Sequence, residues 1–438
     1  MKRGTSNESG QALILLAFGI VALLGFTALA IDGGMIYSDR RHAQNGTDAA
    51  SLAGGGAAAL GLENSHVTYG NWNCNDGRIS NARQSARTAA IQRADDNDFT
   101  IDQDISDKNG VSATCHVEDN GSWLDKYIDI RTMITSGTQT AFAHFIYAGP
   151  WQNEVEAVTR VRPRSPLAFG NAIMSTRLDC PNSNTGGVHF DGNNTVTVSG
   201  GGIFSNSCLD AGGSVQVNVV GGDGITCTGA GCYDAHGGPS ISPAPEAGNY
   251  PIPASMFTIP PPDCSAVPDR GSHTGDGTIN PGRYSRIKIT NGELELRPGL
   301  YCVTGEFDIQ GGLVTGSGVT IYITTGNFQS NGNATVQLTA PPARSCADCP
   351  PAIPGVLIYL AEGNTSSVTL LGTSDSQYLG LVFAPNGMIE VGGAGSSMNE
   401  VHAQLIGDTV KIHGNANLVV NFDDDLNHQR PATLELFK

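Results

Sequence analysis

Residues 11–31, QALILLAFGIVALLGFTALAI, carry no charged side chain. As a helix rising 1.5 Å per residue, ~20 apolar residues reach about 30 Å, the hydrocarbon thickness of a bilayer. The run has no polar stripe, unlike a helix that turns one face to a protein core. Lys2 and Arg3 precede it and Asp32 follows it. This charge bias predicts a transmembrane helix over 11–31, with residues 1–10 in the cytoplasm and the remaining ~400 residues outside. Ala28-Leu29-Ala30 has the small-x-small form that a signal peptidase reads, so a cleaved signal peptide is the rival. The apolar run exceeds the usual ~15-residue limit of a signal h-region, which favours the anchor. Both readings export the bulk of the chain.

Export gives the composition its meaning. None of the 10 cysteines lies in the apolar stretch. They fall into sequence-neighbouring couples, Cys74/Cys115, Cys180/Cys208, Cys227/Cys232, Cys264/Cys302 and Cys346/Cys349. In an oxidising compartment they read as disulfides, although sequence does not determine their connectivity. Cys346 and Cys349 form a single CxxC between proline pairs, with no second CxxC or histidine pair to complete a zinc site, so a small structural disulfide is expected. A net charge of −17 argues against nucleic-acid binding and against adhesion to anionic headgroups. Only 15% of residues are charged, and 57 glycines punctuate β-branched runs. That texture predicts a mainly β fold of short strands and tight turns.

Past the anchor, a juxtamembrane helix is expected over 32–62. Its apolar stripe is Met35, Ile36, Ala43, Ala49, Ala50, Leu52 and Ala53. Gly54-Gly55-Gly56 should end or loosen it, because an interior glycine costs about 1 kcal/mol. Residues 29–55, LAIDGGMIYSDRRHAQNGTDAASLAGG, resemble the N-terminal segment of Tad (Flp) pilus-assembly TadG-like proteins. The resemblance rests on Asp32, Tyr37, Gln44, Asp48, Ala49, Ala50, Ala53 and Gly54, with ESGQ at 8–11 before the helix, and covers residues 5–60. It implies an inner-membrane-anchored protein associated with a tight-adherence pilus system, and no catalytic residues. Ala49, Ala50, Ala53 and Gly54 would also let another helix approach closely. A prepilin peptidase site wants a glutamate five residues after a glycine, whereas Glu8 follows Gly4 by four, which counts against processing as a pilin.

Residues 63–165 read as a small α/β unit. An amphipathic helix is expected over 81–95, strands over 111–117, 127–134 and 154–161, and a short apolar helix over 140–147. His116 and His144 stand alone on apolar runs and read as packing residues. Two prolines, Pro163 and Pro166, mark a linker.

From 166 to 438 short strands alternate with Gly/Asn turns. LVFAPNGMIEVGG and QLIGDTVKIHGN echo each other at a step of about 23 residues, as from Tyr378 to Val401, which suits a parallel β-helix whose stacked coils bury a continuous apolar column. Residues 378–426 also resemble exported right-handed β-helix regions behind TadG-like N-termini, in Phe383-Ala384-Pro385-Asn386, Gly392, Gly407 and His413-Gly414-Asn415-Ala416. A β-sandwich, the runner-up, would show longer strands and no such echo. The proline-rich insertion at 239–268 is expected to loop out or lie on an edge. The fold class is thus mainly β, with an N-terminal transmembrane helix, a small α/β unit and a right-handed parallel β-helix.

Because β-helices host polysaccharide lyases and hydrolases, Asp191, Asp308, Glu390 and Glu400, with Arg286 or Lys288, are the candidates for an enzyme. No two of them align at one offset in adjacent coils. Asp423, Asp424 and Asp425 read as a solvated end rather than a calcium site. No nucleophile elbow, zincin, phosphate-loop or dinucleotide motif occurs. No catalytic, cofactor or metal site is expected. The predicted function is a non-enzymatic, membrane-anchored envelope protein in Tad/Flp pilus assembly, anchoring or surface adhesion. Expected partners are the lipid bilayer, other pilus-assembly or envelope proteins and a surface glycan, not nucleic acid. The alternatives are a secreted polysaccharide-active enzyme and a pilin-like minor subunit.

Overall fold

The computed structural model describes residues 9–437 except 106, 146, 148, 181–185, 230, 249, 332, 344–350, 394–398 and 416. Two units result. The first takes in the chain up to Val117, then 126–163 and the residues from Ala432; the second takes in 118–125 and 164–431. The division expected at 165/166 therefore shifts at the C-terminus, whose last strand belongs with the first unit.

The first unit is built on helix α1, Ser9–Asn64, which runs unbroken. Its N-terminal part is long and apolar enough to cross a membrane. There Phe18 and Phe26 are each 71% exposed, while further along Ala43, Ala50, Ala58 and Leu62 are fully buried. The expected break at the glycine triplet does not occur. A Cβ on Gly54 would stand 2.9 Å from the Ala86 carbonyl oxygen and 2.9 Å from Ile130 Cγ2. One on Gly55 would meet Thr159 and Leu434. These glycines mark where the helix is pressed against its neighbours, and that packing outweighs the propensity cost.

Helix α2, Gly77–Asp95, begins four residues earlier than the pattern suggested, because the Asp76 carboxylate caps it by accepting from the Arg78 N–H at 2.8 Å. Ala82, Ala86, Ala90 and Ala94 recur every four residues as a buried stripe, so the small side chains of α2 meet those of α1. Strands β1 (Gly110–Asp119), β2 (Leu124–Thr138) and β3 (Trp151–Arg162) form a sheet with Thr433–Leu436. β2 and β3 pair antiparallel, and β3 pairs antiparallel with the C-terminal strand. The helix expected over 140–147 is only a 3-10 turn, Ala143–Phe145. Pro150 disfavours helix in the residue before it, which limits the segment.

The second unit is a stack of parallel coils with three sides each. In one coil, residues 405–407 form the first side, 409–414 the second and Leu418–Asn421 the third. First and second sides join a 17-stranded sheet and third sides a 10-stranded sheet. Tyr378 pairs with Val401, the step read from the sequence echo. Alternate side chains point inward. On the second side Ile287, Phe307, Phe328, Val368, Ile389, Val410, Val188 and Leu209 stack as one buried column. Gly192 (φ 118°) and Gly414 (φ 117°) repeat at one corner, where a Cβ on Gly192 would strike the Gly414 backbone, so only glycine lets these coils stack.

Coil order is not chain order. The chain enters mid-stack at Asn171–Ser175 and steps outward through Gly202–Ser205, Ile225–Thr228 and Glu246–Gly248. The proline-rich segment then carries it to the opposite end, where Asp269–Thr274 begins a second run. That run winds back until Leu405, Val410 and Leu418 pair with Ile173, Val188 and Val196. The proline-rich segment does not simply loop out. Ser240–Ser242 and Glu246–Gly248 join the sheets. Beyond them Ile252, Phe257 and Ile259 are buried against the coils. Asn206 accepts from the Ile252 N–H and donates to its carbonyl, and Tyr359 donates to the Ile259 carbonyl at 2.8 Å.

Disulfides join Cys74–Cys115, Cys180–Cys208, Cys227–Cys232 and Cys264–Cys302, four of the five neighbouring couples. Cys346 and Cys349 lie outside the described residues.

Candidate functional site

The family-motif residues tie α1 into its own unit. Asp32, at the end of the apolar stretch, accepts from the backbone N–H groups of Ala141 (2.7 Å), Phe142 (3.1 Å) and Ala143 (2.6 Å). Two turns further, Asp39 accepts from Ser136, Thr138 and Asn153 at 2.6–2.8 Å. Burial pushes the Asp39 carboxyl up, but these three donors outweigh it and hold the group below the usual carboxylate range. Gln44 donates to Asp48 at 2.7 Å, within the helix. Ala50 and Gly54 are buried, and Ala49 and Ala53 half-buried, so the small-residue surface is covered within the unit. Tyr37 is exposed. Sequence spacing indicates a helix and a close-packing face here; it does not show that Asp32 holds the β2–β3 connection and Asp39 the strand ends beside it.

The carboxylates considered for catalysis scatter over the coils. The expectation that none share an offset in adjacent coils is corrected: Lys288 and Asp308 pair at one register on the second side, with Nζ 3.1 Å from Oδ2. Going up that column come Gln329, Thr369, Glu390, Lys411, His189, Asp210 and Asp234. Asp308 and Glu390 are three rungs apart, roughly 14 Å at ~4.8 Å per rung. Asp191 pairs with His413, off this column. Glu400 is on the third side, 3.0 Å from His402 and bonded by Asn421. Arg286 meets Glu306 at 2.9 Å. Asp423 caps its own turn by accepting from the Asp425 N–H.

At one end of the column sits a group that no sequence motif indicated. His189 Nδ1 is 3.1 Å from Asp210 Oδ2; His236 Nε2 is 3.5 Å from Asp210 Oδ1 and 3.2 Å from Asp234 Oδ2. His189 and Asp210 are buried, whereas the side chains of Asp234 and His236 are 53% exposed. Burial pushes the Asp210 carboxyl above its ordinary value, against the pull of both imidazoles. A cavity of about 360 Å³ opens elsewhere, between the coils and the proline-rich segment. Phe257, Ile259, Tyr359 and Phe383 wall it, and Arg177 and Asp408 stand at its margin 3.2 Å apart.

These elements define a class: a chain with one membrane-length apolar helix, whose distal half is the spine of a small α/β unit, followed by a parallel β-helix. Residues 10–59 match the family model of Flp pilus-assembly TadE/G-like proteins. Residues 269–429 match a domain of unknown function, DUF7305. A TadE/G-like domain followed by this domain is consistent with a TadG-like protein, an envelope protein related to Tad/Flp pili. No curated protein matches the chain. The second match begins where the second run of coils begins, so it covers that run and leaves the coils of 171–248 outside it.

Proposed function

We propose that this protein is a non-enzymatic, single-pass anchor of the Tad/Flp pilus system that presents a parallel β-helix outside the cytoplasmic membrane. The observation carrying this reading is the two-part helix α1, bare over its apolar half and buried over the half that contains the TadE/G-like motif. Such a helix joins a bilayer span rigidly to a folded base, since no flexible joint intervenes. The charge bias of Lys2 and Arg3 against Asp32 favours a cytoplasmic N-terminus. Paired carboxylates in glycosidases stand ~5–9.5 Å apart, much closer than Asp308 and Glu390. Asp210 and Asp234 lie on neighbouring coils, but Asp210 is buried against His189. This supports a binding role over catalysis. The aromatic-walled cavity is the place for a surface glycan, and exposed Tyr37 and Met35 on α1 face the pilus-assembly partners.

Reporter fusions placed before residue 11 and after residue 163 test the topology. The reading expects a cytoplasmic signal from the first and an extracytoplasmic one from the second, with the chain resisting carbonate extraction. An inverted pattern, or unsaturated or new reducing-end products from a panel of anionic glycans, would overturn it.

A further inference from the structure

The His189–Asp210–Asp234–His236 group has the geometry of a cation site rather than of a set of surface ion pairs. Strand pairing places Asp234 directly beside Asp210 on the next coil, and His236 follows just beyond that strand. The candidate ligand atoms of Asp210, Asp234 and His236 all lie within 4.8 Å of one another. Tetrahedral bonds of ~2.0–2.2 Å to zinc would put neighbouring ligand atoms ~3.3–3.5 Å apart. The separations of 3.5 and 3.2 Å from His236 Nε2 lie at or just under that value.

A second observation points the same way. Asp210 is 3% exposed, yet its Oδ1 accepts no hydrogen bond from a described residue, and it is the oxygen turned toward His236. A buried carboxylate oxygen left in that state costs free energy unless a cation meets it. The other oxygen, Oδ2, is held by His189, the arrangement by which an outer imidazole or carboxylate orients a metal ligand.

We propose that Asp210, Asp234 and His236 bind one divalent transition-metal ion, Zn²⁺ by its fit to two carboxylates and one imidazole, with His189 as the positioning residue. Calcium is disfavoured because it requires six to eight oxygen ligands. The exposed sides of Asp234 and His236 provide the entry path and leave a fourth position to water. The ion clips the coil of Tyr233–Ala235 to the coil of Leu209–Ala211, near the end of the stack where Cys227–Cys232 also lies.

The test uses the full chain in detergent, purified without a histidine tag, stripped with chelator and dialysed against ZnCl₂. One zinc per chain is expected, with a rise in the melting temperature that chelator reverses. Asp234→Asn and His236→Gln, both at exposed side chains, should abolish the stoichiometric site without lowering the metal-free melting temperature. His189→Gln should weaken binding about 10- to 100-fold while leaving one site. His402→Gln, on the third side, should bind zinc as the native chain does. With Co²⁺ in place of zinc, intense visible absorption should report four-coordination. Absence of bound zinc, or binding that survives both Asp234→Asn and His236→Gln, would overturn the proposal and leave an ion-paired imidazolium.

Discussion

Glycines at 54 and 56 offer a comparison in which helix propensity and packing predict opposite signs. Gly→Ala in a helix interior stabilises by about 1 kcal/mol when the new methyl is unopposed. Among the described residues, nothing beyond the helix's own backbone lies within 4 Å of a Cβ built on Gly56, so Gly56→Ala should gain roughly that amount. On Gly54 the same methyl would sit 2.9 Å from a backbone carbonyl oxygen and from Ile130 Cγ2, and 3.3 Å from Ala90 Cβ. The carbonyl belongs to α2 and moves only with that helix, and overpacking of this kind costs about 1–3 kcal/mol. Net of propensity, Gly54→Ala should be neutral to destabilising by about 2 kcal/mol, leaving the two variants ~1–3 kcal/mol apart. In the regime where exchange follows the opening equilibrium, that is a ~5- to 150-fold difference in amide exchange. Hydrogen-exchange mass spectrometry on peptides from α2, in the full chain in detergent, reads it. Should both alanines protect those peptides equally, the close contact between α1 and α2 is wrong and the glycines are merely tolerated.

Other outcomes follow from named contacts. Replacing Asp32 by Asn removes the charge held by the Ala141–Ala143 amides, so exchange of those amides should rise while α2 stays protected. Burial depresses the His428 imidazole below its ordinary value, the dominant cause, although the Pro354 carbonyl opposes it. The unfolded chain then binds the proton first as pH falls below about 6.5. Stability should therefore decline from there down to the folded value, and His428→Gln should flatten the melting-temperature profile over that window. Cys264 and Cys302 close a loop with a sequence separation of 38. Replacing both with serine should cost about 4 kcal/mol by chain entropy and make the proline-rich segment the first site of proteolysis. Unchanged cleavage kinetics would show that Phe257, Ile259 and the Tyr359 bond hold the segment without the bridge.

Much of this protein follows from local pattern. An uncharged apolar run is poorly solvated by water as an exposed helix, so residues 11–31 show a helix long and apolar enough to cross a membrane without any tertiary information. Alternation at period 2 with glycine corners requires stacked short strands, because each coil is too small to bury its own inner face. The 23-residue echo even identified partners, as Tyr378 and Val401 are neighbours.

Three features came only with the tertiary structure, and for one reason: they depend on which segments meet, not on what each segment prefers. Gly54-Gly55-Gly56 reads as a helix stop until Ala86, Ile130 and Thr159 are seen against it. The inner faces of repeated coils are chemically alike, so nothing local says that Leu405 should pair with Ile173, about half the chain earlier. And Asp210, His236 and Asp234 become one group only through strand register, since a shift of a single residue would turn Asp210 to the opposite face of its strand.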